Sequence, residues 1–256
     1  MTPVPDRIQQ IADLLRASRS AVAFTGAGIS TPSGIPDFRD PESGLWTHAD
    51  PLRVASIHSF RQHPQAFYDW VYPLARQILA AQPNPAHIAL AELERIGILK
   101  CLITQNIDML HTRAGSINVR EIHGSLSEAT CTHCFRVYPG EQVLARFLQD
   151  GKVPRCARCG GVIKPNVILF GEQLPYRQIQ AAREAARCAD VMLVIGSSLE
   201  VAPASDLPKY ALRNSAKLVI INLTPTDFDG LAYAVIHADA AEVLPAISAV
   251  CLKAVA

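Results

Sequence analysis

The sequence predicts an α/β fold in which helices cover a parallel sheet on both faces, and three observations support this class. Short runs rich in valine, isoleucine and leucine alternate with longer segments whose apolar residues recur at helical spacing. The short runs are mostly apolar on both faces, as are the strands of a buried parallel sheet. A glycine-rich turn follows the first run, where sheets of this kind bind phosphate groups.

Six runs are predicted to be strands, and they cover residues 21–25, 98–104, 166–170, 191–196, 217–223 and 234–238. Five segments are predicted to be helices, at residues 7–19, 85–96, 176–188, 203–213 and 240–250. Two insertions break the alternation: residues 31–83, rich in aromatics, and 127–165, which hold two CxxC doublets. We expect the two insertions to form a smaller lobe, with a ligand cleft between the lobes.

The composition argues against several classes of protein. With 49% hydrophobic residues, 18% charged residues and a formal net charge of +1, the chain lacks the charge excess of nucleic-acid-binding or disordered proteins. The first twenty residues lack the unbroken apolar run of a signal peptide, and no run approaches the roughly 18 apolar residues of a membrane span. We therefore expect a cytoplasmic protein that binds neither nucleic acid nor membranes.

The doublets Cys131–Cys134 and Cys156–Cys159 are the candidate metal ligands. Each doublet can present two thiolates from one tight turn, and two such turns can complete a tetrahedral zinc site with no open position. Residues 135–155 separate the doublets, slightly more than is usual in a zinc ribbon. Two redox pairs or unrelated thiols are the alternative interpretation. A site of four thiolates is structural, so the chemistry is expected elsewhere.

The turn Gly26-Ala27-Gly28 is a candidate phosphate site, because glycines let the backbone approach a pyrophosphate. A dehydrogenase fingerprint would continue with a third glycine, where Thr31 stands, and with an acidic residue after a second strand, which is missing. These departures argue against hydride transfer, and a simple tight turn is the other interpretation.

Polar residues also follow the ends of other predicted strands, at the edge where parallel sheets bind ligands. They are Gln105, Asn106, Asp108, Glu172, Ser197, Ser198 and Asn222. His123 is a further candidate, although a lone histidine is often a structural residue.

Taken in order, the motifs GAGIS, GIPDFR, TQNID, His-Gly, two CxxC doublets, FGE and GSS resemble those of the sirtuin family of NAD-dependent protein deacylases. The resemblance is to compact prokaryotic members and covers residues 24–240. It implies a Rossmann-like parallel-sheet lobe and a small lobe made of a helical module and a four-cysteine zinc ribbon. The expected bounds within one catalytic domain are 1–31, 84–126 and 166–256 for the large lobe, 32–83 for the helical module and 127–165 for the zinc module.

The resemblance assigns NAD+ contacts to the residues that match the family motifs. Those expected at the pyrophosphate and nicotinamide ribose are Gly26, Ala27, Gly28, Thr31, Phe38 and Arg39. Those expected at the nicotinamide end are Gln105, Asn106, Ile107, Asp108 and His123. Those expected at the phosphates, ribose and adenosine are Gly196, Ser197, Ser198, Asn222, Leu223, Asp239 and Ala240.

In the implied reaction, the acyl oxygen of the lysine substrate attacks C1′ of the nicotinamide ribose and nicotinamide leaves. A ribose hydroxyl then attacks the imidate while His123 accepts its proton, and water releases lysine and 2′-O-acyl-ADP-ribose. Asn106 is the second residue expected at the catalytic centre. The acyl-lysine peptide would lie as an extended strand against residues matched to the family's substrate site, which are Tyr68, Ile168, Phe170, Gly171, Glu172 and Val201.

Members that remove succinyl or malonyl groups carry a Tyr-x-x-Arg pair, whereas here Tyr68 is followed at the arginine position by Val71. Because a bidentate guanidinium is what makes a carboxylate site strong, its absence predicts neutral acyl groups, and Val71 could also admit longer chains. The expected partners are acyl-lysine proteins or peptides, with NAD+ and Zn2+ as cofactors, and we expect a monomer. Two other functions stay open: mono-ADP-ribosyl transfer, and a non-catalytic module that binds NAD or ADP-ribose.

Overall fold

The computed structural model describes residues 3–37 and 50–253. The strands are β1 (Ala21–Thr25), β2 (Leu99–Thr104), β3 (Val119–Glu121), β4 (Gly124–Cys131), β5 (Val137–Pro139), β6 (Ile163–Val167), β7 (Val191–Ile195), β8 (Lys217–Ile221) and β9 (Ala234–Ile236). The helices are α1 (Val4–Ala17), α2 (Pro51–Val54), α3 (Ile57–Gln62), α4 (Pro64–Ala80), α5 (Pro85–Arg95), α6 (Leu110–Arg113), α7 (Gly140–Asp150), α8 (Tyr176–Cys188), α9 (Leu207–Arg213) and α10 (Ala240–Lys253). Among the described residues, no helix combines the length and apolar character needed to cross a bilayer.

The large sheet has six parallel strands in the order β3-β2-β1-β7-β8-β9. The central strand β1 is buried on both faces, with Ala21 and Ala23 packing toward α1, α5 and α10, and Val22 and Phe24 packing toward α8 and α9. This arrangement confirms the predicted α/β class. Since all six strands run the same way, the residues that follow them lie along one edge.

The two insertions share a hydrophobic core. Phe60 of α3 and Phe67 and Tyr68 of α4 pack in the same cluster as Phe147 of α7 and Val167 of β6. The ring centroids of Tyr68 and Phe147 lie 4.8 Å apart, and those of Phe60 and Phe67 lie 5.2 Å apart at an edge-to-face angle. Aromatic contacts of this kind bury large apolar areas, so the insertions stabilise each other.

The prediction of a parallel strand at residues 166–170 was wrong. The strand is β6, which pairs antiparallel with β4 in a separate three-stranded sheet of order β5-β4-β6. Its residues alternate between buried and half-buried, the period-two pattern of a strand with one covered face, and the apolar run 167–170 obscured this pattern. The short strands β3 and β5, of three residues each, gave too little pattern to be predicted.

Strand β4 begins beside His123 and leads into the zinc module. At its first residue, Gly124, φ is +78°, and a Cβ atom there would lie 2.0 Å from the carbonyl oxygen of Asn166. Only glycine can combine this left-handed conformation with so close an approach. Gly124 therefore fixes the point where the chain passes from the large sheet to the small one.

Candidate active site

A cavity of about 850 Å³ lies at the carboxyl edge of the large sheet, beside α4 and α8. Loops that follow β1, β2, β3 and β7 border it. The residues predicted from sequence that line it are Gly26, Ala27, Gln105, Asn106, Ile107, His123, Ile168, Phe170, Gly171, Glu172, Gly196, Ser197, Ser198 and Val201. The fold therefore brings together motifs that are far apart in the chain.

The turn after β1 packs backbone to backbone against the turn after β7. The Gly28 N–H donates to the Gly196 carbonyl oxygen over 2.9 Å, and a Cβ on Gly28 would lie 2.9 Å from the Gly196 Cα. Gly196 has φ +57°, and a Cβ there would lie 2.3 Å from the Ile29 nitrogen. No long helix follows this turn, since Thr31 begins a second three-residue 3-10 turn, and its hydroxyl donates to the Gly28 carbonyl over 3.1 Å. After the turn, the chain therefore follows a different path from that of a dehydrogenase, in which a helix follows and a third glycine packs it against the sheet.

His123 follows β3 and lines the cavity. Its Nδ1 lies 3.1 Å from the carbonyl oxygen of Gln105. A carbonyl oxygen only accepts, so Nδ1 carries the proton and Nε2 retains a lone pair. Burial lowers the pKa of His123, and the hydrogen bond to the Gln105 carbonyl opposes that shift. The imidazole is therefore neutral, with a free acceptor nitrogen, at and somewhat below neutral pH.

Asn106 is oriented by a buried hydrogen-bond network. Its Nδ2 donates to the Gly26 carbonyl and to the Ser30 hydroxyl, each over 3.0 Å. The Ser30 hydroxyl in turn donates to Asp108 Oδ2 over 2.7 Å, and burial raises the pKa of that carboxyl. Because both amide hydrogens of Asn106 are used inside the protein, its Oδ1 is the atom left to accept from a ligand.

Two neighbouring histidines with tilted rings lie next to this network, and no pattern in the sequence predicted them. His87 and His111 are buried with ring centroids 4.7 Å apart. His87 lies near Ser30, with Nε2 3.5 Å from the hydroxyl, and His111 Nε2 lies 2.9 Å from the Thr25 hydroxyl. Burial lowers the pKa of His87 to about 4 and that of His111 well below the ordinary value, so both rings are neutral. They connect α5 and α6 to the ends of β1 and β2.

The remaining predicted cofactor residues lie along the same edge but outside the cavity wall. Asn222 and Leu223 follow β8, and Asp239, which follows β9, accepts from the Ala241 N–H over 2.8 Å at the start of α10. Gly28, Thr31, Asp108 and Ala240 also do not line the cavity. The predicted residues Phe38 and Arg39 lie outside the described residues.

Tyr68 does not lie on the cavity wall. Its ring is fully buried in the core of the small lobe, and its hydroxyl donates to the Ile163 carbonyl over 2.7 Å. The expectation that Tyr68 contacts substrate therefore has no support from its position. Helix α4 contributes other side chains to the cavity wall, at a spacing of three and four residues: Phe67, Trp70, Val71 and Leu74.

The segment after β6 forms one wall of the cavity, and hydrogen bonds to the neighbouring backbone and to Glu172 hold it in place. Phe170 is about half exposed, and its backbone N–H and carbonyl bond to Ala55 and Ile57. The Glu172 carboxylate accepts from the Leu169 N–H over 2.8 Å and from Lys164 Nζ over 2.9 Å. These bonds hold an extended segment with exposed side chains at the cavity.

The four predicted metal ligands come together at the tip of the small sheet. Their Sγ atoms all lie within 4.8 Å of one another, and none forms a disulfide. Cys131 Sγ accepts from the N–H groups of His133 and Cys134, and the Tyr138 hydroxyl lies 3.0 Å from Cys156 Sγ. Four clustered thiols with donors directed at their sulfurs fit a tetrahedral zinc ion. The alternative of two separate redox pairs does not explain this single cluster.

The matched family and relatives agree with this geometry. The Sir2 family model matches residues 26–203. NAD-dependent protein deacylase 2 of Archaeoglobus fulgidus is 48% identical over 243 residues, which cover 94% of this chain and 95% of that protein.

Two solved structures share the fold over nearly the whole chain. One is of a Sir2 variant with a deacetylated p53 peptide and 3′-O-acetyl ADP ribose, with TM-score 0.88 and 42% identity over 94% of this chain and 96% of that one. The other is of Sir2Tm bound to a propionylated peptide, with TM-score 0.83 and 41% identity over 93% of this chain and 95% of that one. The family match and the extent of identity lead to one conclusion: the chain belongs to the Sir2 family.

Proposed function

We propose that this protein is an NAD-dependent protein lysine deacylase that moves the acyl group from a lysine side chain to ADP-ribose. The observation that carries the proposal is the neutral His123, which has a free acceptor nitrogen on a cavity that also contains the glycine turn after β1. The names of the relatives and the ligands of the matched structures support the same reaction class.

The residues at the sheet edge fit NAD+. The Gly26 and Gly28 N–H groups donate to the Ile195 and Gly196 carbonyls, and the turn has no room for a side chain at either glycine. The bare backbone of the turn can therefore lie close to a pyrophosphate. Asn106 Oδ1 is available to accept from a carboxamide, and Ser197, whose hydroxyl accepts from Gln105 Nε2 over 2.9 Å, lies on the same wall. NAD+ would supply the ADP-ribose that accepts the acyl group, with nicotinamide as the leaving group.

His123 is assigned the role of general base. Its Nε2 can accept a proton from a ribose hydroxyl, and the Gln105 carbonyl fixes the required tautomer. Because burial lowers its pKa, the ring keeps its lone pair at neutral pH. Removing the ring is expected to abolish acyl transfer.

The acyl group would lie against the α4 wall. Phe67, Val71 and Leu74 supply apolar surface there, together with Val167 and Leu169 from the other side. This wall carries no described lysine or arginine, and desolvating a carboxylate without a partner is costly. We therefore expect an acetyl-lysine peptide to be turned over much faster than a succinyl-lysine peptide. A panel of acyl lengths tests this, and a faster succinyl reaction would refute it.

One assay tests the whole proposal. The protein is incubated with NAD+ and an acetyl-lysine peptide, and nicotinamide and peptide mass are followed, with His123→Ala as the control. The proposal requires release of nicotinamide in step with loss of the acetyl group. Nicotinamide release without deacetylation would indicate ADP-ribosyl transfer, and no release would indicate a binding module.

The proposal also covers the role of the zinc module, the location and oligomeric state of the protein, and its partners. The zinc module would be structural, since four thiolates leave no open position. We propose a cytoplasmic monomer that acts on proteins or peptides. The small net charge of +1 gives no general attraction to nucleic acid. The lobe bounds derived from the sequence are retained as part of this proposal.

A further inference from the structure

We propose that Arg183 selects substrates in which an acidic side chain lies close to the acyl-lysine. This inference rests on the deacylase function proposed above and names a substrate class for it. It starts from one face of α8, whose residues Tyr176, Ile179, Gln180 and Arg183 all line the cavity. Their spacing of three and four residues places them on one side of the helix, along the cavity.

Arg183 is the only described lysine or arginine on the cavity wall. It is partly buried, so water screens its charge less than that of a fully exposed side chain. The described acidic residues of the wall are Asp37, Glu172 and Glu200. Glu172 is already paired with Lys164.

Arg187, on the same helix, has partners that Arg183 lacks among the described residues. Arg187 lies 3.8 Å from the Glu184 carboxylate and 5.2 Å from the centroid of the Tyr210 ring. No described residue offers Arg183 a hydrogen-bond acceptor, an ion pair or a ring of this kind. A guanidinium in a cleft that has no partner among the described residues is suited to bind an anionic ligand, and its planar donors match a carboxylate or a phosphate.

Two anions could occupy this place, a carboxylate of the peptide or a phosphate of NAD. The position of α8 favours the peptide. Ile179 packs in one cluster with Leu199, which lies two residues before Val201, a residue matched to the family's substrate site. The segment 170–174 on the other side leads directly into α8, which begins at Tyr176. The phosphate turn instead follows β1 and is packed against Gly196.

The test uses acetyl-lysine peptides in a neutral background, with a single aspartate or lysine placed at each flanking position in turn. Wild-type protein is compared with Arg183→Glu. The control is Arg177→Glu, an equal charge change on an exposed residue of the same helix that does not line the cavity. At one or two positions, we expect the wild type to show a KM about fivefold to tenfold lower with aspartate than with lysine. Arg183→Glu should reverse this ranking, and Arg177→Glu should preserve it.

Three results would overturn the inference. The first is equal KM values for aspartate and lysine peptides at every position in the wild type. The second is an unchanged ranking in Arg183→Glu. The third is a higher KM for NAD+ in Arg183→Glu with no change in peptide ranking, which would assign the guanidinium to a phosphate. Failure of the deacylase proposal is separate, since no peptide of any charge would then be deacetylated.

Discussion

The ion pair between Lys164 and Glu172 is the clearest place to test how the small sheet supports the cavity wall. Lys164 Nζ donates to the Val167 carbonyl over 2.7 Å as well as to Glu172 over 2.9 Å. Glu172 also accepts from the Leu169 N–H, and both Leu169 and Glu172 line the cavity. Replacing Lys164 by methionine keeps the length of the side chain and removes its charge and its donors.

The loss of stability in Lys164→Met can be estimated from the burial of the ion pair. Removing one partner of a buried ion pair costs about 3–5 kcal/mol, because the other charge stays uncompensated. The two side chains keep 12% and 23% of their exposure, so water relieves part of that cost. We expect Lys164→Met to lower the free energy of unfolding by about 2–3 kcal/mol. For a chain of this size, that corresponds to a fall in Tm of about 4–12 °C.

Urea unfolding and peptide kinetics together measure the effect. In a double-mutant cycle with Glu172→Gln, the two changes should couple by about 1–2 kcal/mol. The reason is that Glu172→Gln removes the carboxylate charge that Lys164→Met leaves without a partner. Lys164→Arg, which keeps the cation, serves as the control and should stay close to the wild type in stability. Peptide KM should rise in Lys164→Met, because the Glu172 carboxylate that holds the Leu169 N–H loses the lysine that fixes its position. A loss below about 0.5 kcal/mol or strict additivity would refute this account of the wall.

Four further outcomes are expected. Because burial lowers the pKa of His123, the acid limb of kcat/KM should lie below the ordinary histidine value of about 6.5, and a limb above it would contradict the assignment. Burial lowers the pKa of His87 to about 4, from about 6.5 in the unfolded chain, so the unfolded chain binds more protons between these pH values. The free energy of unfolding should therefore fall as the pH drops from about 6.5 to about 4, and His87→Gln should remove up to about 3 kcal/mol of that loss, as measured by urea unfolding. Tyr138→Phe removes a donor to a thiolate of the zinc site and should speed zinc transfer to a chromogenic chelator about tenfold, with an unchanged rate counting against that role. Gly28→Ala places a Cβ 2.9 Å from the backbone of the β7 turn and should raise the KM for NAD+ at least about tenfold, whereas Gly230→Ala, with open space around the Cβ, should not.

Much of the large sheet could be predicted from sequence because its strands are short, apolar on both faces and separated by periodic helices. β1 begins and ends at the predicted residues, and β2, β7 and β8 differ from prediction by one or two residues at an end. Once these strands are parallel, geometry alone places the residues after each strand along one edge. That is why motifs around Gly26, Gln105 and Ser197 could be expected to meet, and the structure places all three on the cavity wall.

Contacts that depend on packing between distant segments could not be predicted. His87 belongs to α5 and His111 to α6, and neither has a local pattern that distinguishes a buried network residue from an ordinary core histidine. Tyr68 illustrates the same limit. Its motif position suggested the cavity, whereas its side chain packs into the core that the two insertions share. The direction in which a helix presents a given side chain is set by that core, and the core forms only when both insertions are folded.

The shared core also gives the zinc module a role beyond its own stability. Phe147 of α7, within the second insertion, packs against Tyr68 of α4, and the next residues of α4 form the apolar wall of the cavity. Tyr68 is bonded through its hydroxyl to Ile163 at the start of β6, the strand that leads into the wall at Leu169 and Phe170. Loss of order at the zinc site would therefore displace two sides of the cavity wall, one through α4 and the other through β6. The large sheet would retain its own core, because the clusters on its two faces contain no residue of the zinc module. Metal loss should consequently impair acyl-lysine binding before it impairs the sheet edge where NAD+ is proposed to bind.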